Sequence, residues 1–308
     1  MALSHDPSLS QDPLWPRAGS WPAFDGEADA VLLGVPTWRT SLSSTGAHAT
    51  PGAVREALQR YGTTLMGPPI LDLADALTIR DAGDVDEPDG DNGEAATIAR
   101  VRELAPAFVI ALGGDNSLTY PVALGSAASG LITFDAHFDL RDGVSNGTPV
   151  RRLVEDAPAA ATVPTERIDP RRIVQIGIAD FANSAAYARR AADWGIRVIT
   201  LDELRLRGVD DVVAEAAEVA GAGDGPVHLD IDVDVCDRSV APGCPASVPG
   251  GLAAWELRAL TRAVASDARV VSADIAEVDA TADTEDGRTV RLAALCVLEL
   301  LAGVAGRI

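Results

Sequence analysis

Short apolar segments rich in Val, Ile, Leu and Phe alternate along this chain with longer segments of helical periodicity. Parallel strands need long crossover connections, usually helices, so this alternation predicts an α/β fold: a parallel sheet with helices on both faces. Because Pro51 suits a first helical turn, Thr50 is expected to cap the first helix. The predicted strands are residues 30–35, 108–112, 131–134, 173–178, 196–201, 227–231 and 270–275. The predicted helices are residues 51–61, 94–104, 117–124, 185–194, 209–220, 253–265 and 289–302.

The domain organisation follows from the lack of any interruption in this alternation of strands and helices. The 308 residues contain no internal repeat, no low-complexity tract and no Pro- or Ser-rich linker in mid-chain. We therefore expect a single domain over residues 1–308, with residues 1–25 as an N-terminal extension.

The excess of acidic over basic residues excludes two classes of binding partner. The 25 basic residues, all Arg, face 46 Asp and Glu, which gives a formal net charge of −21. Such a chain repels the phosphates of nucleic acids and anionic lipid headgroups, so neither nucleic acid nor a membrane is an expected partner. No apolar run approaches the roughly 18 residues of a membrane span, and no signal peptide is recognised at the N-terminus. Three Cys without CxxC spacing indicate free thiols, and we expect a cytoplasmic protein.

Three strands are each followed by polar residues that bind hard metal ions. Gly113-Gly114-Asp115-Asn116-Ser117 follows one, Asp135-Ala136-His137-Phe138-Asp139 the second, and Asp230-Ile231-Asp232-Val233-Asp234 runs out of the third. Open parallel sheets build their sites at the carboxyl ends of the strands. Side chains two residues apart on an extended backbone point the same way, so each motif can direct several ligands to one place.

A divalent cation is the expected partner of these side chains. Burying several carboxylates together costs several kcal/mol each unless a positive charge compensates, and the chain has no Lys to do so. Carboxylates with one imidazole suit Mn²⁺ better than Zn²⁺, and so many acidic ligands suggest two ions.

Each motif alone has a simpler interpretation. An isolated Asp-x-Asp at a strand end is usually a turn or a helix cap, and a lone His137 is more often a buried, hydrogen-bonded histidine. Three such strand ends in one domain favour the metal site.

Taken together, the motifs resemble those of the ureohydrolase family, which comprises arginases, agmatinases and formimidoylglutamases. The family has Gly-Gly-Asp-His-Ser, Asp-Ala-His-x-Asp, a Ser-x-Asp-x-Asp-x-x-Asp-Pro segment running on to Ala-Pro-Gly, and a late Glu after a strand. Here Asp232, Asp234 and Asp237 fit the third pattern, with Asp230 at the position of its Ser. Glu277 fits the late Glu.

The resemblance implies a three-layer α/β/α sandwich around a mainly parallel eight-stranded sheet, and a homo-oligomer, a trimer or a hexamer. It also implies two Mn²⁺ per subunit. Asp135 and Asp232 would bridge the ions, and Asp139 would serve one of them. His137 and Asp234 would serve the other. Asn116 stands where the family has a histidine ligand, so the first ion is expected to bind more weakly.

The same resemblance implies the chemistry, which is hydrolysis of a C–N bond in a linear amidine. Glu277 would pair with the N–H groups of the substrate's amidine or guanidine. Asp139 would pass a proton to the leaving amine as the tetrahedral intermediate collapses.

One loop residue and one later segment indicate one branch of the family, the formimidoylglutamases. Asn146 stands where arginases and agmatinases typically carry a proton-shuttling histidine, and the segment from Asp286 to Ala294, Asp-Gly-Arg-Thr-Val-Arg-Leu-Ala-Ala, resembles formimidoylglutamases. Asn146 and Arg141 are therefore the predicted substrate-binding residues beside Glu277. A guanidinium binds a carboxylate with two hydrogen bonds, and formimidoylglutamate has two carboxylates. A salt bridge from Arg141 to Asp142 or another nearby acid is the simpler alternative.

The expected reaction is therefore hydrolysis of N-formimidoyl-L-glutamate to L-glutamate and formamide. The first alternative is an agmatinase or another guanidino-compound ureohydrolase that releases urea. The second is a metal-deficient scaffold that has become a binding or regulatory protein through Asn116.

Overall fold

The computed structural model of the chain describes residues 12–156 and 167–307. Across its main sheet, every pair of neighbouring strands within these residues is parallel. The order of strands is β4 (Ile79–Asp84), β1 (Ala30–Val35), β5 (Phe108–Gly113), β10 (Val270–Ala276), β9 (Val227–Asp232), β6 (Gly130–Phe134), β7 (Ile173–Ile178) and β8 (Arg197–Thr200). The short strands β2 (Thr64–Leu65) and β3 (Leu71–Asp72) form a separate antiparallel pair. The predicted parallel sheet is confirmed.

Helices cover both faces of this sheet. The α-helices within the described ranges are α1 (Thr50–Leu58), α2 (Leu73–Ala76), α3 (Gly90–Leu104), α4 (Thr119–Gly125), α5 (Pro149–Glu155), α6 (Ala185–Trp194), α7 (Leu201–Arg207), α8 (Val209–Ala220), α9 (Ala254–Ala265) and α10 (Arg288–Ala305). No helix of the described chain is both long and apolar enough to cross a bilayer.

Alternate residues of each strand join different cores, which gives the molecule three layers. On β1, Leu32 belongs to the apolar cluster formed with α1, α8, α9 and α10. Its neighbours Val31 and Leu33 belong to a cluster formed with α3 and α4 on the opposite face. This alternation is the side-chain period of a strand buried on both faces, and it confirms the α/β/α sandwich.

The connection between β5 and β6 creates the crevice that the site uses. These strands follow each other in the chain but lie three positions apart in the sheet, and β10 and β9 fill the gap between them. The four strands that carry the sequence motifs are therefore neighbours at the centre of the sheet. Their carboxyl ends lie on the same edge, where open α/β sheets bind ligands.

Several elements differ from the sequence prediction. Strand β4 was not predicted, because it is a half-exposed edge strand whose Arg80, Asp81 and Gly83 interrupt any apolar run. Helices α5 and α7 have only seven residues each, too few to show a helical period. The predicted strand 196–201 ends at Thr200, whose hydroxyl accepts from the N–H of Glu203 and caps α7.

Thr50 does not cap the first helix. It is the first residue of α1, and its buried hydroxyl donates to the carbonyl of Val278. The start of α1 is thereby attached to the loop that follows β10.

The chain segment before β1 packs along the sheet edge. The N–H of Phe24 donates to the carbonyl of Asp81 at 2.9 Å, and Ala18 is buried in the core. Residues 1–11 of the predicted N-terminal extension lie outside the described residues.

Candidate metal centre and substrate pocket

Carboxylates converge at the carboxyl ends of β6 and β9, which are adjacent strands. Asp135 follows β6 directly, and its Oδ1 accepts from the N–H of His137 at 2.6 Å. Asp232 ends β9, and its Oδ1 accepts from the N–H of Asp234 at 2.8 Å. These side-chain-to-backbone hydrogen bonds are the local turns that Asp favours at strand ends, and they hold both loops in place.

The predicted metal ligands form two groups that share Asp135. In one group the ligand atoms of Asp135, His137 and Asp234 all lie within 4.8 Å of one another. In the other the same is true of Asp135, Asp139 and Asp232. His137 Nδ1 lies 2.7 Å from Asp234 Oδ2. The structure therefore brings the five predicted Asp and His ligands together.

The electrostatics of these groups show that negative charge is uncompensated. Burial, together with the neighbouring carboxylates, raises the pKa of Asp135 and of Asp232 well above the usual range of an Asp. Burial also raises the pKa of Asp139 to about 8. The carboxylates of Asp234 and Asp135 raise the pKa of His137 to about 12, although burial alone acts in the opposite direction. A group of acids in this state is stabilised by added positive charge.

The donor set fits a hard divalent cation. Asp135 is fully buried, and within the described part of the chain its Oδ2 has no hydrogen-bond partner. Such an atom is costly unless a ligand satisfies it. Carboxylate oxygens with one imidazole nitrogen are typical ligands of Mn²⁺.

Asn116, the remaining predicted ligand, lies beside this group. It is buried at the start of the turn after β5. Its Nδ2 donates to Asp139 Oδ2 at 2.7 Å, and its Oδ1 accepts from the hydroxyl of Thr119 at 2.7 Å. Asn116 is therefore placed next to the second group but presents its N–H₂ to it.

Glu277 follows β10 and faces the same crevice. Its φ of 59° lies in the left-handed region, which is uncommon for a residue other than Gly and is found at functional sites. Asp139 shares this feature, with a φ of 51°. Burial, reinforced by the charge of Asp115, raises the pKa of Glu277 to about 8.

Two hydrogen bonds hold the carboxylate of Glu277, and both go to Oε1. One comes from the N–H of Asn116 at 2.8 Å and the other from Nδ2 of Asn146 at 2.7 Å. Asn146 is fixed in turn by Leu42, whose N–H donates to its Oδ1 at 2.9 Å. Asn146 thus reaches Glu277 directly, as one of the two hydrogen-bond donors that this carboxylate has among residues 12–156 and 167–307.

Arg141 lies at the rim of the cavity that contains these residues. The cavity measures about 250 Å³ and is lined among others by Asp139, Arg141, Asn146, Tyr187 and Glu277. Arg141 is exposed and forms no ion pair with any acid of the described chain. The alternative of a bridge to Asp142 is wrong, because Asp142 pairs with Arg190 at 2.9 Å.

A buried polar row below the site was not identified from the sequence. Thr133, Asp230 and Asp274 occupy the same register on β6, β9 and β10. His228 Nε2 lies 2.8 Å from Asp274 Oδ2, and its Nδ1 lies 2.8 Å from Ser272 Oγ. Burial raises the pKa of Asp274 to about 7 and lowers that of His228 to about 4. The one available signal was Asp230 at the family's Ser position.

Known proteins resemble the chain over most of its length. The arginase family model matches residues 28–303. The formimidoylglutamase of Bacillus subtilis (strain 168) is 33% identical over 302 residues, which are 92% of this chain and 90% of that protein. The crystal structure of a formimidoylglutamase from B. subtilis subsp. subtilis str. 168 has a TM-score of 0.86 at 30% identity, covering 96% of this chain and 94% of the other. The formiminoglutamase of Trypanosoma cruzi, solved with Mn²⁺, has a TM-score of 0.84 at 26% identity, covering 96% and 100%.

These similarities agree with the fold and with the motifs at the four central strands. The resemblance inferred from the sequence is confirmed. This chain belongs to the arginase family.

Proposed function

We propose that the protein hydrolyses N-formimidoyl-L-glutamate to L-glutamate and formamide. Relatives and solved neighbours named formimidoylglutamase support this reaction. The observation that carries it is the position of Arg141: an exposed guanidinium without an ion-pair partner in the described chain lines the same cavity as Glu277 and Asp139. A substrate with an amidine at one end and two carboxylates at the other matches a cavity with acids at its base and Arg141 at its rim.

We propose two Mn²⁺ ions per chain. Asp135 and Asp232 would bridge them, Asp139 would serve the first ion, and His137 with Asp234 the second. Asp135 belongs to both ligand groups and its Oδ2 has no partner among the described residues, which supports its bridging role, while Asp232 is grouped with Asp135 and Asp139. Asn116 weakens the first site, because it offers at best an amide oxygen. When bound, the ions supply Lewis-acid activation of water near neutral pH.

The chain's own residues position the substrate and move the proton. Glu277 accepts hydrogen bonds from the amidine N–H groups, and its Oε1 is already held by Asn146 and Asn116. The water oxygen becomes bonded to the amidine carbon, and the bond from that carbon to the glutamate nitrogen breaks. One hydrogen of the water ends on the nitrogen that stays in formamide. Asp139 takes the other from the water oxygen and delivers it to the glutamate nitrogen, so that glutamate leaves as the amine and formamide remains.

The location, assembly and domain organisation are part of the proposal. We propose a single catalytic domain over residues 1–308 with an extension at 1–25, in a cytoplasmic homo-oligomer, either a trimer or a hexamer. The free thiols of Cys236, Cys244 and Cys296 fit a reducing compartment. The exposed Trp255 and Met66, 67% and 81% accessible, suit a contact between subunits.

The test offers the Mn²⁺-loaded protein N-formimidoyl-L-glutamate and agmatine at matched concentrations and measures both glutamate and urea. We expect glutamate and a much larger kcat/KM for formimidoylglutamate. Urea from agmatine at the higher rate assigns the chain to the guanidine-hydrolysing branch. No turnover, with less than one Mn²⁺ per chain, favours the metal-deficient binding protein.

A further inference from the structure

The amide of Asn116 is turned the wrong way to bind a cation. Its Nδ2 donates to Asp139 Oδ2, and its Oδ1 accepts from Thr119 Oγ1, both at 2.7 Å. An amide nitrogen carries two hydrogens and does not bind a metal ion, whereas the amide oxygen can. To serve the first Mn²⁺ position, Asn116 must exchange its two ends, and Oδ1 must then face Asp139 and the ion.

This exchange reverses the hydrogen bond to Thr119. The hydroxyl of Thr119 has one hydrogen and two acceptor positions. Once Nδ2 of Asn116 faces the hydroxyl, Thr119 accepts from the amide, and its hydrogen needs a different acceptor. Thr119 is fully buried, so water cannot supply one without cost.

Asp274 offers that acceptor. Its carboxylate is fully buried in the centre of the sheet, and its Oδ2 is bound by His228. Its Oδ1 has no hydrogen-bond partner in the described chain. Helix α4, which begins at Thr119, packs against β10, which carries Asp274. Burial raises the pKa of Asp274, and the Thr119 hydroxyl partly offsets that effect. The hydrogen bond of this hydroxyl in the present structure goes to Asn116.

We propose that Thr119 is a positioning residue that sets which end of Asn116 faces the first metal position. With the ion absent, Thr119 donates to Asn116 and Oδ1 of Asp274 stays unpartnered. With the ion bound, Asn116 donates to Thr119 and Thr119 donates to Asp274. The bound state therefore gives up the hydrogen bond from Asn116 to Asp139, whose place the ion takes, and forms a hydrogen bond to the buried carboxylate of Asp274 instead. This inference rests on the proposed pair of Mn²⁺ sites.

The experiment measures Mn²⁺ binding by calorimetric titration of metal-stripped protein. Thr119→Val keeps the shape of the side chain but removes the hydroxyl, so the hydrogen bonds made by Thr119 are lost both with and without the ion. We expect the weaker Mn²⁺ to lose affinity by roughly tenfold or more, the value of one hydrogen bond to a charged group. The tighter Mn²⁺ keeps its affinity. Thr119→Ser, which restores the hydroxyl, recovers most of the loss.

The control is Thr261→Val. Thr261 is also a fully buried helical threonine, but its hydroxyl donates to Leu257 within α9. If the loss of Mn²⁺ affinity in Thr119→Val comes from the contact with Asn116, Thr261→Val should leave the affinities for both Mn²⁺ ions unchanged. Thr119→Val with wild-type affinity for the weaker Mn²⁺ overturns the inference.

A crystal structure of the Mn²⁺-loaded wild-type protein gives a second test that does not depend on the variants folding. We expect Thr119 Oγ1 within hydrogen-bond distance of the Asp274 carboxylate. A loaded structure in which Thr119 still donates to Asn116 Oδ1 overturns the inference but leaves the reaction intact. Wild-type protein that binds no Mn²⁺ overturns the manganese proposal, and this inference with it.

Discussion

Asn146 donates from Nδ2 to Oε1 of Glu277 at 2.7 Å, so a loop that follows β6 holds the acid that follows β10. The N–H of Asn116 donates to the same oxygen. Both hydrogen bonds stabilise the charged form of a buried carboxylate whose pKa burial has raised to about 8. Asn146 therefore partly offsets the effect of burial on the pKa of Glu277 and holds its carboxylate in the cavity, where the proposed amidine binds.

Asn146→Ala removes one of these two donors. We expect kcat/KM for formimidoylglutamate to fall by roughly 10- to 100-fold, because a hydrogen bond to a charged group is worth about 1.5–3 kcal/mol. Steady-state kinetics measure the loss. Val144→Ala is the matched control: Val144 is 56% exposed in the same loop and should keep wild-type kinetics. Equal kinetics for both variants contradict the role given to Asn146.

Arg141→Ala tests the carboxylate contact. We expect KM for formimidoylglutamate to rise about tenfold or more with a small change in kcat, because Arg141 binds a part of the substrate that does not react. Arg189→Ala removes the same charge from exposed Arg189 on α6, outside the residues that line the cavity, and should leave KM unchanged. An unchanged KM in Arg141→Ala removes the main structural support for a dicarboxylate substrate.

The metal-stripped protein should lose stability as the pH rises from about 4 to 8. In the folded state the pKa of Asp139 is raised to about 8 from its usual 3.8, so over this interval the folded chain binds more protons than the unfolded chain. His137, with its pKa raised to about 12, acts in the same direction above pH 6.5. Urea unfolding in EDTA at pH 5.5 and 7.5 measures the trend. A stability that increases over this interval contradicts the electrostatic account.

Mn²⁺ should reverse that instability. An ion at 100 times its dissociation constant adds about 2.7 kcal/mol to the free energy of unfolding, and we expect at least this gain at pH 7.5. Unfolding curves with and without Mn²⁺ measure it. If Mn²⁺ leaves the wild-type curve unmoved, the acidic groups do not form a metal centre.

The effect of Asp135→Asn on the free energy of unfolding should change sign when Mn²⁺ is added. Without Mn²⁺ the variant should be more stable than wild type at pH 7.5, because it removes a buried carboxylate from among other carboxylates. With Mn²⁺ it should be less stable, because both ligand groups share Asp135. Unfolding curves in EDTA and in Mn²⁺ show both effects, and the same sign in both conditions contradicts the shared role of Asp135.

The sequence was sufficient to predict that the metal ligands converge. Asp135 and Asp232 follow predicted strands, and parallel strands end on a common edge, so nearness in space could be inferred without the strand order. The edge strand β4 was missed because its polar residues are half exposed and show no apolar alternation. Periodicity identifies buried elements, and β4 is paired on one side only.

The contact between Thr119 and Asn116 had no sequence signal of its own. In the sequence, Thr119 has the pattern of an ordinary residue near the start of a helix, and Asp274 interrupts an apolar strand. The relation between them depends on β5 and β10 being neighbours, which local sequence does not specify. The same is true of Asn146 and Glu277, which are 131 residues apart.

The most direct test of the account identifies the products of the Mn²⁺-loaded enzyme acting on N-formimidoyl-L-glutamate by proton NMR. The account predicts L-glutamate and formamide in equal amounts, formed at a rate that falls when the metal is chelated and returns when Mn²⁺ is restored. Substrate that remains intact beside Mn²⁺-loaded, folded protein would contradict it.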